Sequence, residues 1–99
     1  MIEPLSRTVT VLAGETLPVE LGKDERFTRT SVKAKVGEAG VLSFRGKAVN
    51  GQYEIPESPN TLDLAERKSI SFSPVALEEI EIANAGASPV TLVITQLEA

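Results

Sequence analysis

The chain has 99 residues, a common size for a single domain, and contains neither cysteine nor histidine. Without cysteine it has no disulfide, thiol nucleophile or cysteine-bound zinc. Without histidine it has no Ser-His-Asp triad and no histidine-ligated metal. The formal net charge of −4 argues against sequence-independent nucleic-acid binding, which needs a basic surface. We therefore expect a protein that is not an enzyme, uses no cofactor or metal, and has no specific nucleic-acid partner.

Apolar and polar residues alternate with a period of two along most of the chain, which predicts β-strands with one buried face. In chain order the alternating segments are 8–13, 17–21, 32–36, 42–48, 69–73, 79–82 and 90–95. Between them lie turn-forming residues, including Asn50-Gly51 and a glycine-flanked segment, 37–40, that we interpret as a hairpin turn. The pattern predicts an all-β domain, a single small β-sandwich of the jelly-roll type with about seven or eight antiparallel strands. An immunoglobulin-like strand order fits equally well, because alternation does not reveal which strands pair.

The N-terminal residues precede the first alternation and are predicted separately. We expect residues 1–6 to form an arm that contacts a neighbouring molecule through Ile2 and Leu5, and residues 7–99 to form the β-sandwich domain. A frayed terminus is the alternative. The segment lacks the basic and apolar regions of a signal peptide, and no apolar run reaches the roughly 18 residues of a membrane helix. These features predict synthesis in the cytoplasm and no membrane partner.

Charge is distributed unevenly along the sequence. Residues 23–47 contain seven basic and three acidic side chains, whereas residues 48–99 contain two basic and eight acidic ones. Solvated strand faces explain such a distribution in ordinary terms. The sharper hypothesis is a protomer with one positive and one negative edge that packs head to tail around a ring.

Four basic residues are the candidate protein interface. Lys33 and Lys35 share one strand face, and Arg45 and Lys47 share another. If those two strands pair, the four side chains form one positive patch that suits an acidic protein neighbour. Protection of an edge strand by lysine is the alternative.

The carboxylates offer two further alternatives. Glu79 and Glu81 lie on one strand face, as a pair of catalytic carboxylates could, but an aromatic content of 4% leaves little to bind a sugar ring. A solvated strand face is therefore the preferred interpretation of this pair. An oxygen-rich loop segment also leaves calcium binding open. Its carboxylates are Glu54, Glu57, Asp63 and Glu66.

The order of the segments adds a resemblance. The chain runs from VTVLAGETLPV at 9–19, through SVKAK at 31–35 and GVLSF at 40–44, to LDLAERKSISF at 62–72 and LEEIEIANAG at 77–86, and then to a last Val-Thr strand. This series, spanning about Arg7 to Leu97, resembles small β-sandwich virion proteins of tailed bacteriophages. In those proteins an opening V-x-V-x-A-G-x-x-x-x-L, a central x-V-x-A-x strand and a later L-x-x-I-x-I strand recur. Their G-E-S step is replaced by Glu66-Arg67-Lys68-Ser69.

The resemblance implies that the protein functions by binding other proteins through its surface. Proteins of this kind are capsid decoration, cement or head-accessory subunits, and they have no catalytic residues to carry over. It implies a homo-oligomer, with a trimer favoured, a major capsid or other virion protein as partner, and a location in the virion after synthesis in the host cytoplasm. The residues leave open an alternative, a carbohydrate- or ligand-binding β-sandwich module without catalysis, in which Tyr53 would contact the ligand.

Overall fold

The computed structural model describes residues 3–35, 37–49, 53–54, 60–73 and 76–98, with the backbone alone at 53–54. Nine strands are assigned in these ranges. They are β1 (Leu5–Val11), β2 (Thr16–Glu20), β3 (Arg29–Ala34), β4 (Val41–Ala48), β5 (Tyr53–Glu54), β6 (Thr61–Asp63), β7 (Ser69–Phe72), β8 (Leu77–Asn84) and β9 (Val90–Leu97). Within the described ranges, no helix has the length and apolar character needed to cross a membrane.

The strands form two antiparallel sheets. Sheet one has the order β1-β9-β3-β7, and sheet two has the order β2-β8-β4 with β5 and β6 along the remaining edge of β4. Because β6 pairs with one end of that edge and β5 with the other, the two short strands share one position. Each sheet therefore has four strand positions, in agreement with the predicted number of strands.

The chain alternates between the sheets. Apart from the run β4-β5-β6, every connection carries the backbone from one sheet to the other. An immunoglobulin-like order would place the first two strands in one sheet and the last two strands in the other. Here β1 and β2 lie in different sheets, and so do β8 and β9. The topology is therefore jelly-roll-like, which the alternation pattern could not decide.

This topology corrects one turn prediction. Residues 37–40 do not form a hairpin turn, because β3 belongs to sheet one and β4 to sheet two. Gly37 and Gly40 have φ values of 92° and 128°, which favour glycine, and they form part of this crossing between sheets. Asn50-Gly51 lies outside the described residues, but β4 and β5 on either side of it do pair antiparallel.

The inward side chains of both sheets form one apolar core. Phe44 of sheet two contacts Phe72 of sheet one, with ring centroids 5.6 Å apart and planes inclined at 60°. This tilted geometry is favourable for aromatic pairs. The other fully buried core residues, exposed by 2% or less, are Val11, Val32, Ala34, Leu42, Leu62, Leu64, Ile80, Ile82, Val90, Leu92 and Ile94. The alternation therefore predicted correctly an inward apolar face on the strands that it located.

Two buried amides connect the sheets at their ends. Asn84 of β8 donates to the carbonyl of Val11 in β1 at 3.0 Å, and its own oxygen accepts from the N–H of Gly86 at 2.9 Å. Gln96 of β9 donates to the carbonyl of Leu77 in β8 at 3.3 Å. Such hydrogen bonds satisfy polar groups that would otherwise be buried without partners. The amides therefore fix how one sheet lies on the other.

The first strand begins inside the segment predicted as an arm. Leu5 and Ser6 pair with β9, opposite Gln96 and Thr95. Leu5 is 49% exposed at this edge, while Ile2 lies outside the described residues. Contact of residues 1–4 with a neighbouring molecule remains a prediction.

Candidate functional site on the two sheet faces

The outward surface of sheet one is built from short hydroxylated side chains. Because inward and outward residues alternate along each strand, the register places eight serines and threonines on this surface. They are Ser6, Thr8, Thr10, Ser31, Ser69, Ser71, Thr91 and Thr95. Together with Arg29, Lys33 and Lys35 they form what we call the hydroxyl face.

Hydrogen bonds between neighbouring strands hold these hydroxyls in pairs. Ser6 and Thr95 lie 3.2 Å apart between their hydroxyl oxygens, and Thr10 and Thr91 lie 3.1 Å apart. Cross-strand pairs of this kind stabilise a sheet modestly. The hydroxyl face is therefore a regular surface with few long side chains apart from its cations.

Those cations include two of the residues predicted as an interface. Lys33 and Lys35 are exposed beside Val93 and Thr95, where they line a shallow groove of about 410 Å³. Arg29 lies further along the same strand, on the same side. Within the described ranges, no carboxylate lies in ion-pair contact with any of the three. Their charges are therefore available to an outside partner.

The other two predicted residues lie on the opposite side of the molecule. Arg45 and Lys47 project outward from β4 in sheet two, so the condition for a single positive patch, pairing of β3 with β4, is not met. Arg45 contacts Glu81 at 3.3 Å, and Lys47 contacts Glu78 at 3.4 Å. Sequence alternation placed each pair on one strand face correctly, but it could not show that the strands belong to different sheets.

Sheet two presents an acidic face. We use this name for the outward surface of β2, β8, β4 and β6. These strands contain five acidic and two basic residues, a net of −3, whereas the strands of sheet one contain three basic residues and no acidic one, a net of +3. The two opposite surfaces therefore differ in charge, although Arg45 and Lys47 of the basic segment lie on the acidic face.

Two carboxylates of the acidic face lie side by side, and one of them, Glu79, also has Lys47 directly opposite it on β4. Glu20 of β2 is directly opposite Glu79 of β8. Within the described part of the chain, neither carboxylate is in ion-pair contact with a basic group. Like charges directly opposite each other on neighbouring strands destabilise a sheet. This edge of sheet two therefore favours a cationic neighbour.

In the loop between β2 and β3, Asp24 and Arg26 form an ion pair with each other. Arg26 donates to both carboxylate oxygens of Asp24, at 3.1 Å from Nε to Oδ1 and 2.7 Å from Nη2 to Oδ2. This side-chain hydrogen bond lowers the pKa of Asp24 from its usual 3.8 to about 2 and raises the pKa of Arg26. The pair is exposed, so it serves the local turn and offers little to a partner.

The catalytic and calcium alternatives receive no support from geometry. Glu79 and Glu81 share the acidic face as predicted, but the face is open and Glu81 is engaged by Arg45. Asp63 accepts the N–H of Ala65 at 3.0 Å in a local turn. Among the described residues, no cluster of three or more carboxylates is placed to hold a metal ion. Glu57 and the side chain of Glu54 lie outside that description.

Sequence reasoning missed the buried polar residues. Asn84, Gln96 and Thr30 occupy inward positions that lie just outside the predicted alternating segments. The absence of acidic residues from the strands of sheet one was visible in the sequence, but its meaning depends on these strands being neighbours. The hydroxyl face could therefore be recognised only after the strands were assigned to sheets.

Comparison with known proteins identifies structural likeness only. No protein-family model matches the sequence, and no curated protein matches it. Among solved structures, a de novo designed double-stranded β-helix determined by solution NMR is 22% identical, with a TM-score of 0.56 over 94% of this chain and 99% of the designed one.

Two natural proteins have the same architecture. The SPBc2 prophage-derived protein YomS is 12% identical, with a TM-score of 0.57 over 97% of this chain and 96% of its own. The cupin domain of Schizosaccharomyces pombe Cnp3 is 14% identical, with a TM-score of 0.50 over 97% of this chain and 53% of that one. At these identities the likeness shows the fold alone. The chain is an all-β, jelly-roll-like protein of the double-stranded β-helix type.

Proposed function

We propose that this chain is a non-enzymatic structural subunit of a bacteriophage virion. As a small jelly-roll sandwich it would decorate or cement a capsid, or serve as a head-accessory protein, through contacts with copies of itself and with a major capsid or other virion protein. The observation that carries the proposal is the pair of outward sheet faces, one cationic and hydroxylated, the other acidic. The structural likeness to a prophage-derived protein supports the viral context.

The charges explain how such a subunit would bind. Complementary charges steer association and fix the orientation of partners more than they add affinity. The lysines of the hydroxyl face suit an acidic protein surface, while the short hydroxyls allow close approach and hydrogen bonding. The acidic face remains available for a second contact.

The test uses particles of the phage or prophage whose genome encodes the chain. Mass spectrometry of purified particles is expected to find the chain in a fixed ratio to the major capsid protein. Particles made without it should rebind the purified chain in co-sedimentation, whereas the variant K33E/K35E should rebind at least about tenfold more weakly. The variant K23E changes an exposed loop lysine and should behave as wild type.

Two results would reject the proposal. One is the absence of the chain from particles that are otherwise complete. The other is equal recovery of wild-type chain with particles and with an unrelated acidic protein, which would show attraction without specificity.

The second candidate function is a carbohydrate- or ligand-binding module without catalysis. The groove beside Lys33 and Lys35 favours it, since ammonium groups and hydroxyls together suit an anionic sugar. Calorimetry with an anionic oligosaccharide would give saturable binding that is lost in K33Q/K35Q. Heat that rises linearly with ligand, or that is unchanged in the variant, would remove this candidate.

A further inference from the structure

We infer that the hydroxyl face of one copy of this chain binds the acidic face of a second copy, so that copies stack head to tail. The feature that points to this is the placement of Lys33 and Lys35 on one side of the molecule and of Glu20 and Glu79 on the other. This inference goes beyond the proposed function, because it concerns the purified chain and does not depend on a virion.

The spacing of the charges matches on the two faces. Lys33 and Lys35 are two residues apart along one strand direction, which separates them by about 7 Å. Glu79 and Glu81 have the same spacing along β8, and Glu20 lies across from Glu79 at about 5 Å. When the faces lie against each other with their strands roughly aligned, each ammonium group can therefore reach a carboxylate.

The acidic face carries carboxylates at its edge that cations from a neighbouring molecule would stabilise. Glu78 and Glu81 already contact Lys47 and Arg45. Lys47 of β4 also lies directly opposite Glu79, whereas Glu20 on the edge strand β2 has Glu79 as its cross-strand neighbour. A repelling pair at the outward edge lowers the stability of the isolated chain. Lysines from a second copy would convert this repulsion into attraction.

The surfaces between the charges allow close approach. One end of the acidic face carries short side chains, with Ala83 flanked by Thr16 on one neighbouring strand and Ser43 on the other. The hydroxyl face is equally short-chained, and Val93 lies near its centre. Sheets with such surfaces can lie about 10 Å apart, face to face. Shape and charge therefore favour the same arrangement.

The size of the face sets the expected affinity. Four strands of about seven residues present a patch of roughly 19 by 23 Å. Stable interfaces bury about 800 Å² per partner, so this contact is at the low end and is expected to be weak and salt-sensitive. Because the two faces lie on opposite sides of the molecule, each added copy leaves a face free and the stack stays open. A closed trimer would have to use other surfaces.

The first measurement is sedimentation velocity of the purified chain over a wide concentration range. In ~50 mM salt the mean mass is expected to rise steadily with concentration, without a limit at three copies. In ~500 mM salt the association should weaken by about tenfold or more, because dissolved ions screen the attraction between exposed charges. A chain that remains monomeric throughout, or a salt-resistant trimer, would overturn the inference.

The second measurement uses two charge-reversed variants. K33E/K35E removes the cations of the hydroxyl face, and E20K/E79K reverses the unpaired carboxylates of the acidic face. Each variant alone should remain monomeric. Mixed in equal amounts they should associate again in alternation, because each variant retains a face that fits the other and their two reversed faces are also complementary in charge. Dichroism and thermal melting of each variant confirm that it is folded.

Matched controls change charge away from the faces. K23E and E25K reverse exposed residues in the loop between β2 and β3 and should associate as wild type does. Folded face variants that still associate on their own, or that fail to associate when mixed, would overturn the inference. Neither result would bear on whether the chain is found in purified virions.

Discussion

Sheet one and sheet two contribute similar apolar side chains to the shared core, but their outward surfaces differ in charge and chemistry. The strands of sheet one carry hydroxyls and cations without one acidic residue, whereas sheet two concentrates carboxylates beside partly paired cations. Burial requires only that inward residues be apolar and well packed. The outward positions are free of that requirement, so their chemistry reflects what each face contacts.

The largest expected effect comes from breaking the core that holds the faces back to back. Phe44→Ala removes the ring that meets Phe72 and should lower the free energy of unfolding by about 3–5 kcal/mol. Urea denaturation followed by circular dichroism measures this loss. Phe44→Leu should remain folded with a smaller loss. Thr8→Ala, on the hydroxyl face, should change stability by less than about 0.5 kcal/mol. Equal losses in Phe44→Ala and Thr8→Ala would contradict the assignment of inward and outward positions.

The next effect concerns the amide that connects the two sheets. Asn84→Ala leaves the carbonyls of Val11 and Ser88 and the N–H of Gly86 without their partner, and should cost about 2–3 kcal/mol. Chemical denaturation gives the value. Ser43→Ala, on the outward surface of the same sheet, is the control. A loss no larger than that of the control would mean that water replaces the amide.

A smaller effect of opposite sign is expected inside sheet one. Thr30 is fully buried, and its hydroxyl has no hydrogen-bond partner among the described residues. Thr30→Val keeps the shape and removes the unsatisfied group, so it should raise stability by about 1 kcal/mol. Thermal melting tests this prediction, with the outward Thr8→Val as control. Destabilisation by Thr30→Val would show that the hydroxyl has a partner.

The charge difference between the faces predicts that removing one carboxylate from sheet two slightly raises the stability of the monomer. Glu20→Gln relieves repulsion with Glu79 while leaving Glu79 opposite Lys47, and should stabilise the monomer by about 0.2–1 kcal/mol at low salt, with a smaller gain at high salt. Melting at low protein concentration measures the monomer alone. Glu25→Gln, in a loop, should have no such salt-dependent effect. If both variants respond alike, repulsion between Glu20 and Glu79 is not the cause.

The smallest expected effect concerns the pKa of one loop carboxyl. Asp24 is paired with Arg26 in the loop between β2 and β3, in contrast to the carboxylates of the acidic face that have no ion pair among the described residues. The Asp24 carboxyl should titrate near pH 2 in an NMR experiment, because Arg26 donates to it. Its pKa is lower in the folded chain than its usual 3.8, so its stabilising contribution is present above pH 3.8 and is lost as pH falls through about 2. In Arg26→Gln the titration should move back towards 3.8, and an unmoved midpoint would exclude the ion pair as the cause.

Much of the local structure was predictable from the sequence. Period-two alternation located most of the longer strands and their inward residues, including Phe44 and Ile82, because a half-buried strand must alternate. The strand in which Leu62 is buried lay in a segment with no such alternation, and it was missed. The two basic pairs were placed on the correct strand faces, but not on the correct sides of the molecule.

By itself the sequence determined that this is a small all-β chain with two-sided strands, since period and turn residues are local properties read along the backbone. The tertiary structure decided which strands are neighbours, and therefore that the connection at 37–40 crosses between sheets. It also decided that Lys33 and Arg45 face opposite directions and that Asn84 and Gln96 connect the sheets. Strand pairing depends on contacts between residues far apart in the chain, and a period of two is the same whichever partner a strand has.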